Sequence, residues 1–111
     1  MTVFYHSTDG ESAEQILLGG FRDSTGNYML ANTVVTGIFV ANIPLGVQDG
    51  AAGDVTLKIS TQLPIDTFSE FELVEEMKPF REWCIPADRI NGSGQVCRMT
   101  EDEVDAVLDR T

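Results

Sequence analysis

Residues 2 to 20, TVFYHSTDGESAEQILLGG, fix how the chain must begin. TVFYH is β-branched and aromatic, which suits a short strand. Thr8-Asp9-Gly10-Glu11 then has the T-x-x-E form of a capping box, and Ala13, Ile16 and Leu17 follow at helical spacing. Gly19-Gly20 ends the helix, because glycine takes a left-handed cap conformation without steric cost. The chain opens strand, turn, helix, and its only histidine, His6, lies at the strand's C-terminal end.

Strand signals dominate the chain beyond this helix. Asp23 to Asn27 reads as a turn, Tyr28 to Leu30 as a short strand and Val35 to Ala41 as a better one, while Gly46 to Gly53 is small and glycine-rich and reads as a loop. In GDVTLKIST, Val55, Leu57 and Ile59 alternate with Thr56, Lys58 and Ser60, the period of a strand with one buried face. TFSEFELVEE, residues 67 to 76, is acidic and fits neither the strand nor the helix period cleanly. PFREWCIP, 79 to 86, reads as a strand between prolines, and GQVCRMT, 94 to 100, as another. Thr100-Glu101-Asp102-Glu103 repeats the capping-box form before a C-terminal helix containing Val104, Ala106 and Val107. Strands with one helix near each end make the class α+β, and 111 residues make one domain, 1–111.

Charge and cysteine usage narrow the function classes. Seven basic against 18 acidic side chains give a net charge of −11, which repels phosphate backbones and argues against nucleic acid as a partner. No apolar run reaches the roughly 20 residues of a membrane helix, and the N-terminus lacks a signal-peptide layout, so the expectation is a cytoplasmic protein with no membrane partner. Cys84 and Cys97 have no CxxC spacing, and with one histidine they make no structural zinc site unless carboxylates join them. Both read as buried, reduced thiols, and no metal is expected.

Alternation sorts the chemistry-bearing residues by face. Phe4 and His6 point one way from the first strand, and Val3 and Tyr5 the other. Gly37, Phe39 and Ala41 share a face, leaving open space on both sides of an aromatic ring. Phe80, Glu82 and Cys84 share another, with Trp83 and Ile85 turned to the core. Each has two readings: His6 is a hydrogen-bonded structural residue or a ligand contact, the small residues beside Phe39 admit a helix or a planar ligand, and Glu82 is a solvated edge or a working carboxylate.

In their order, these residues resemble the ADP-ribosyltransferase superfamily, in its His-Tyr-Glu branch of poly(ADP-ribose) polymerases and diphtheria-type toxins. His6-Ser7-Thr8 followed by AEQILLGGF is similar to the branch's opening strand and helix. Gly26-Asn27-Tyr28-Met29 and Gly37-Ile38-Phe39-Val40-Ala41 are similar to its second motif, and Arg81-Glu82-Trp83 to its third. Two positions depart from the pattern: Phe39 stands where the branch has tyrosine, and Ser7 where it has glycine.

The resemblance implies a split mixed or antiparallel β-sheet and NAD as the substrate, cleaved at the nicotinamide N-glycosidic bond by a mono-ADP-ribosyltransferase or NAD glycohydrolase. It implies that Glu82 stabilises an oxocarbenium-like ribose and that His6 positions the other ribose by a hydrogen bond. Phe39 and Tyr28 would stack on nicotinamide, Ser7 and Thr8 contact its amide, and Arg22 meet the pyrophosphate. His6, Phe39 and Glu82 are then expected to converge on one hollow, and the partners are NAD and an unspecified ADP-ribose acceptor. An RNA 2'-phosphotransferase shares the fold, but its need for several basic residues conflicts with the acidic balance. The alternative class is a non-catalytic module, either a degenerate nucleotide-binding fold or an acidic inhibitor, to which Glu70, Glu72, Glu75, Glu76 and the 101–105 cluster would belong.

Overall fold

The strand with the cleanest alternation pairs with the opening strand along its whole length. β1 (Thr2–Thr8) runs antiparallel to β4 (Val55–Thr61), with Phe4 opposite Ile59, His6 opposite Leu57 and Thr8 opposite Val55. In the computed structural model, which describes residues 1–22, 24–28, 33–45, 53–74 and 79–109, this pair is the centre of an α+β domain. α1 (Gly10–Gly19), β2 (Ser24–Tyr28) and β3 (Thr33–Ala41) lie between β1 and β4 in the chain. A 3-10 helix (Ile65–Phe71), β5 (Glu82–Ile85), α2 (Ala87–Asn91), β6 (Gly94–Arg98) and α3 (Glu101–Asp109) complete the order.

The sheet order is β2-β3-β1-β4-β6, with β5 also paired to β3, and every strand pairing is antiparallel. β3 shares its outer edge between two partners: Thr33 to Gly37 pair with β2, and Ile38 to Ala41 pair with β5. Gly37, at φ 155°, stands where the partner changes. A Cβ there would meet the Ile85 carbonyl oxygen at 2.8 Å, so this position requires glycine.

The core lies on the face carrying Phe4, Leu57, Ile59, Val40, Trp83 and Ile85, each at most 2% exposed. Phe4 meets the rings of Trp83 and Phe68 edge-on, at 4.9 and 5.2 Å between centroids. Ala13 from α1, Phe68 from the 3-10 helix and Ile90 from α2 cover that face. Trp83 and Ile85 point inward, as alternation along FREWCI requires.

The structure corrects several sequence expectations. Thr8 is the last residue of β1, and Asp9 caps α1 instead, its carboxylate accepting from the Ser12 N–H at 2.7 Å. Ser24 to Asn27, expected as a turn, belong to β2, where pairing with β3 overrides weak β propensity. Leu30 lies outside the described residues, as do residues 46–52 of the expected loop and Glu75 and Glu76. The ambiguous 67–76 stretch supplies most of the 3-10 helix and then a bridge from Glu72 to Trp83. α2 is an element that the sequence pattern does not announce. Cys84 is buried, but Cys97 is exposed on the edge strand β6, so the expectation of two buried thiols fails for the second.

The Thr100 capping box forms as expected. Glu103 Oε1 accepts from the Thr100 N–H at 2.9 Å, and Thr100 Oγ1 accepts from the Glu103 N–H at 3.2 Å. No described helix is long and apolar enough to cross a membrane.

Candidate nucleotide site at the opening of the sheet

β1 and β3 keep one register pair, Tyr5 opposite Ala41, although β1 continues beside β4 as far as Thr8. Past that pair the ladder between β1 and β3 is replaced by a side chain. The His6 Nδ1 lies 2.8 Å from the Phe39 carbonyl oxygen, and the imidazole packs edge-on against Phe21 at 5.3 Å.

A carbonyl only accepts, so Nδ1 carries the proton in this bond. Burial pushes the His6 pKa below its ordinary value, and the bond to Phe39 offsets this in part. A neutral ring protonated at Nδ1 leaves Nε2 as an acceptor, suited to a hydroxyl donor such as a ribose OH.

Beside this opening, under the C-terminal half of α1, lies a hollow of about 710 Å³. His6, Ser7 and Thr8 line it together with Gly20, Phe21 and Arg22, and Ser12, Gln15 and Ile38 also contribute. Its volume falls within the range of small-molecule and cofactor sites. Arg22 is the one cation among the described lining residues. The N-terminus of α1 is already occupied by the Asp9 carboxylate, so an anion in the hollow would find Arg22 rather than the helix end. Thr8 is buried, and the Ser7 hydroxyl donates to the Leu45 carbonyl at 3.1 Å, leaving its oxygen free to accept.

Four nominated residues, His6, Ser7, Thr8 and Arg22, are thus brought together. Phe39 and Glu82 are not among the lining residues, and the expectation that His6, Phe39 and Glu82 converge on one hollow is not met. The register explains why. Tyr5 pairs with Ala41 and Ala41 with Glu82, so Tyr5, Ala41 and Glu82 share a face, and Phe39, opposite Cys84, joins them. His6, one residue on from Tyr5, takes the other face, opposite Leu57. Tyr28 closes β2 opposite Thr33; its side chain lies outside the described part of the structure.

Glu82 is held firmly on its own side. The Arg81 guanidinium grips Glu72 with two bonds, at 2.7 and 2.9 Å, and lies 4.9 Å over the Trp83 ring. That pairing lowers the Glu72 pKa. The Glu82 carbonyl accepts from the Leu73 N–H at 2.8 Å, so its strand is tied to β3 on one edge and to Leu73 on the other. Among the described residues no group of three or more His, Cys, Asp or Glu is arranged to hold a metal.

Compared with known protein families, curated proteins and solved structures, the chain matches none.

Proposed function

We propose that this chain is an NAD-binding domain of the ADP-ribosyltransferase type, acting as a mono-ADP-ribosyltransferase or NAD glycohydrolase. One observation carries the reading: four of the nominated residues, His6, Ser7, Thr8 and Arg22, line one hollow beside the place where the β1–β3 ladder ends. Phe39 and Glu82 stand on the opposite face of the sheet, on β3 and β5. The transferase reading requires the dinucleotide to reach both faces. In this proposal Arg22 meets the pyrophosphate, His6 Nε2 accepts from a ribose hydroxyl, and the nicotinamide riboside passes the opening to Phe39 and Glu82. The glycosidic bond breaks with its electron pair leaving on neutral nicotinamide. Positive charge develops on the ribose beside the Glu82 carboxylate, and water or an acceptor adds there and loses a proton.

The second reading is a nucleotide-binding module without turnover. It is favoured by the placement of Phe39 and Glu82 outside a hollow that already holds a cation, a hydroxyl acceptor and apolar walls.

Calorimetry with NAD and ADP-ribose, alongside chromatography of released nicotinamide, tests both. The transferase reading expects release that falls about a hundredfold or more in Glu82→Gln, the typical effect of removing one such stabilising group. Binding that weakens in Arg22→Ala, with no nicotinamide release from the wild type, establishes the module. Absence of both binding and release overturns the two together.

A further inference from the structure

We propose that Asn91 is the positioning residue of the hollow: its side-chain amide holds the turn that presents Phe21 and Arg22. The inference rests on reading the hollow as the nucleotide site.

Phe21 lies between α1 and β2, outside any strand ladder, and Asn91 supplies partners for both of its backbone polar groups. Asn91 Oδ1 accepts from the Phe21 N–H at 2.9 Å, and Asn91 Nδ2 donates to the Phe21 carbonyl at 2.9 Å. A primary amide reproduces the donor and acceptor pair that a neighbouring strand would offer. Aspartate lacks the donor, and glutamine carries the amide one methylene further out.

Both ends of this clamp are anchored. Asn91 closes α2, whose Ala87 and Ile90 are buried in the core and which is joined directly to β5 through Pro86. On the other side, Gly20 has φ 87° and its N–H bonds to the Ile16 carbonyl at 2.8 Å, turning the chain out of α1. A Cβ on Gly20 would sit 3.1 Å from Asn91 Oδ1, so the close approach of the amide is built into the turn. Phe21 is 4% exposed, its ring packs edge-on against the His6 imidazole, and Arg22 is the next residue. Movement of Phe21 therefore reaches both the hydroxyl acceptor and the cation of the hollow. Asn91 itself is not among the lining residues and acts through those it holds.

The test uses the full chain with Asn91→Ala, Asn91→Asp, Arg22→Ala and the Asn91→Ala, Arg22→Ala double variant. Each is measured well below its own unfolding temperature. NAD affinity is read by calorimetry, and amide hydrogen exchange is followed at Phe21, β1 and β4. Both Asn91 variants are expected to bind NAD about tenfold more weakly, and Asn91→Ala, which removes the acceptor of the Phe21 N–H, to lose protection there while β1 and β4 keep theirs. Asn91→Ala should cost less when Arg22 is already absent, because it acts through Arg22. The Asn91→Asp deficit, taken as a ratio to wild type at the same pH to cancel titration of His6, should shrink as acid restores an O–H donor.

Wild-type affinity in both Asn91 variants, additive losses in the double variant, or protection lost across β1 and β4 together would overturn the proposal. If the wild type binds no NAD, the nucleotide reading falls. Exchange at Phe21 then judges the clamp alone: local loss of protection supports it and unchanged protection overturns it.

Discussion

His6 is the chain's only histidine, so it alone among the side chains has an ordinary pKa between those of the carboxylates and the thiols. Its burial holds the native pKa below the ordinary 6.5. Between those two values the unfolded chain binds the proton that the folded chain refuses. Stability therefore has its full value above about pH 6.5, falls as pH drops through the interval, and stops falling once the native pKa is passed. One proton sets the steepest slope at about 1.4 kcal/mol per pH unit. That is a sizeable part of the roughly 5–15 kcal/mol that holds a domain together. Asp9, Glu72 and Glu103 are held below the ordinary carboxylate range by bonds to Ser12, Arg81 and Thr100, so their own losses begin only under more acid conditions. Urea unfolding of wild type and His6→Asn from about pH 8 to about pH 5.5 isolates the histidine. Asparagine puts an amide nitrogen at the same bonded position as Nδ1 but does not titrate. The wild-type midpoint should fall below about pH 6.5 and the variant's stay level. A level wild-type profile, or an equal slope in both proteins, would refute the assignment of a buried neutral imidazole bonded through Nδ1–H.

The geometry sets two further outcomes. Gly37→Ala must place a Cβ 2.8 Å from the Ile85 carbonyl oxygen at a φ that L-residues avoid, and should destabilise by about 2–5 kcal/mol in urea unfolding. A loss under about 0.5 kcal/mol would contradict that crowding. An aromatic disulfide reagent should titrate Cys97 at once in the native protein and reach buried Cys84 only on unfolding. Equal rates for the two thiols would mean that β5 is open to solvent.

Where local chemistry decides structure, the sequence is readable. Val55, Leu57 and Ile59 alternate because one face of β4 is buried, and they are buried. Thr100 and Glu103 form their reciprocal cap because the whole interaction lies within one helical turn. Ser24 to Asn27 mislead because their strand exists only through β3, and a polar stretch with glycine carries no local sign of that pairing. Asn91 leaves no trace at all: its two bonds to Phe21 span 70 residues, and a lone asparagine at a helix end is an ordinary thing to find. Gly19-Gly20 reads in the residues only as a helix end, and the approach of Asn91 to Gly20 shows only in the structure.

The candidate site shows the same limit more sharply. Alternation within β1 and within β3 is legible in the residues, yet it does not relate the face of one strand to that of the next. That relation is set by register, and a shift of one residue reverses it. Tyr5 opposite Ala41 puts Tyr5, rather than His6, on the face of Phe39 and Glu82. At the same junction the His6–Phe39 bond fixes the tautomer of the imidazole beside the hollow. Closing the sheet and leaving Nε2 as an acceptor are therefore two consequences of a single proton on Nδ1. A ligand that crosses between β1 and β3 must leave the His6–Phe39 bond in place or replace the donor that this part-buried carbonyl loses, since a carbonyl stripped of its donor away from water costs up to about 1–3 kcal/mol. The transferase reading meets that cost in reaching Phe39 and Glu82, whereas a module that binds in the hollow alone keeps the bond, beside Arg22 and the turn held by Asn91.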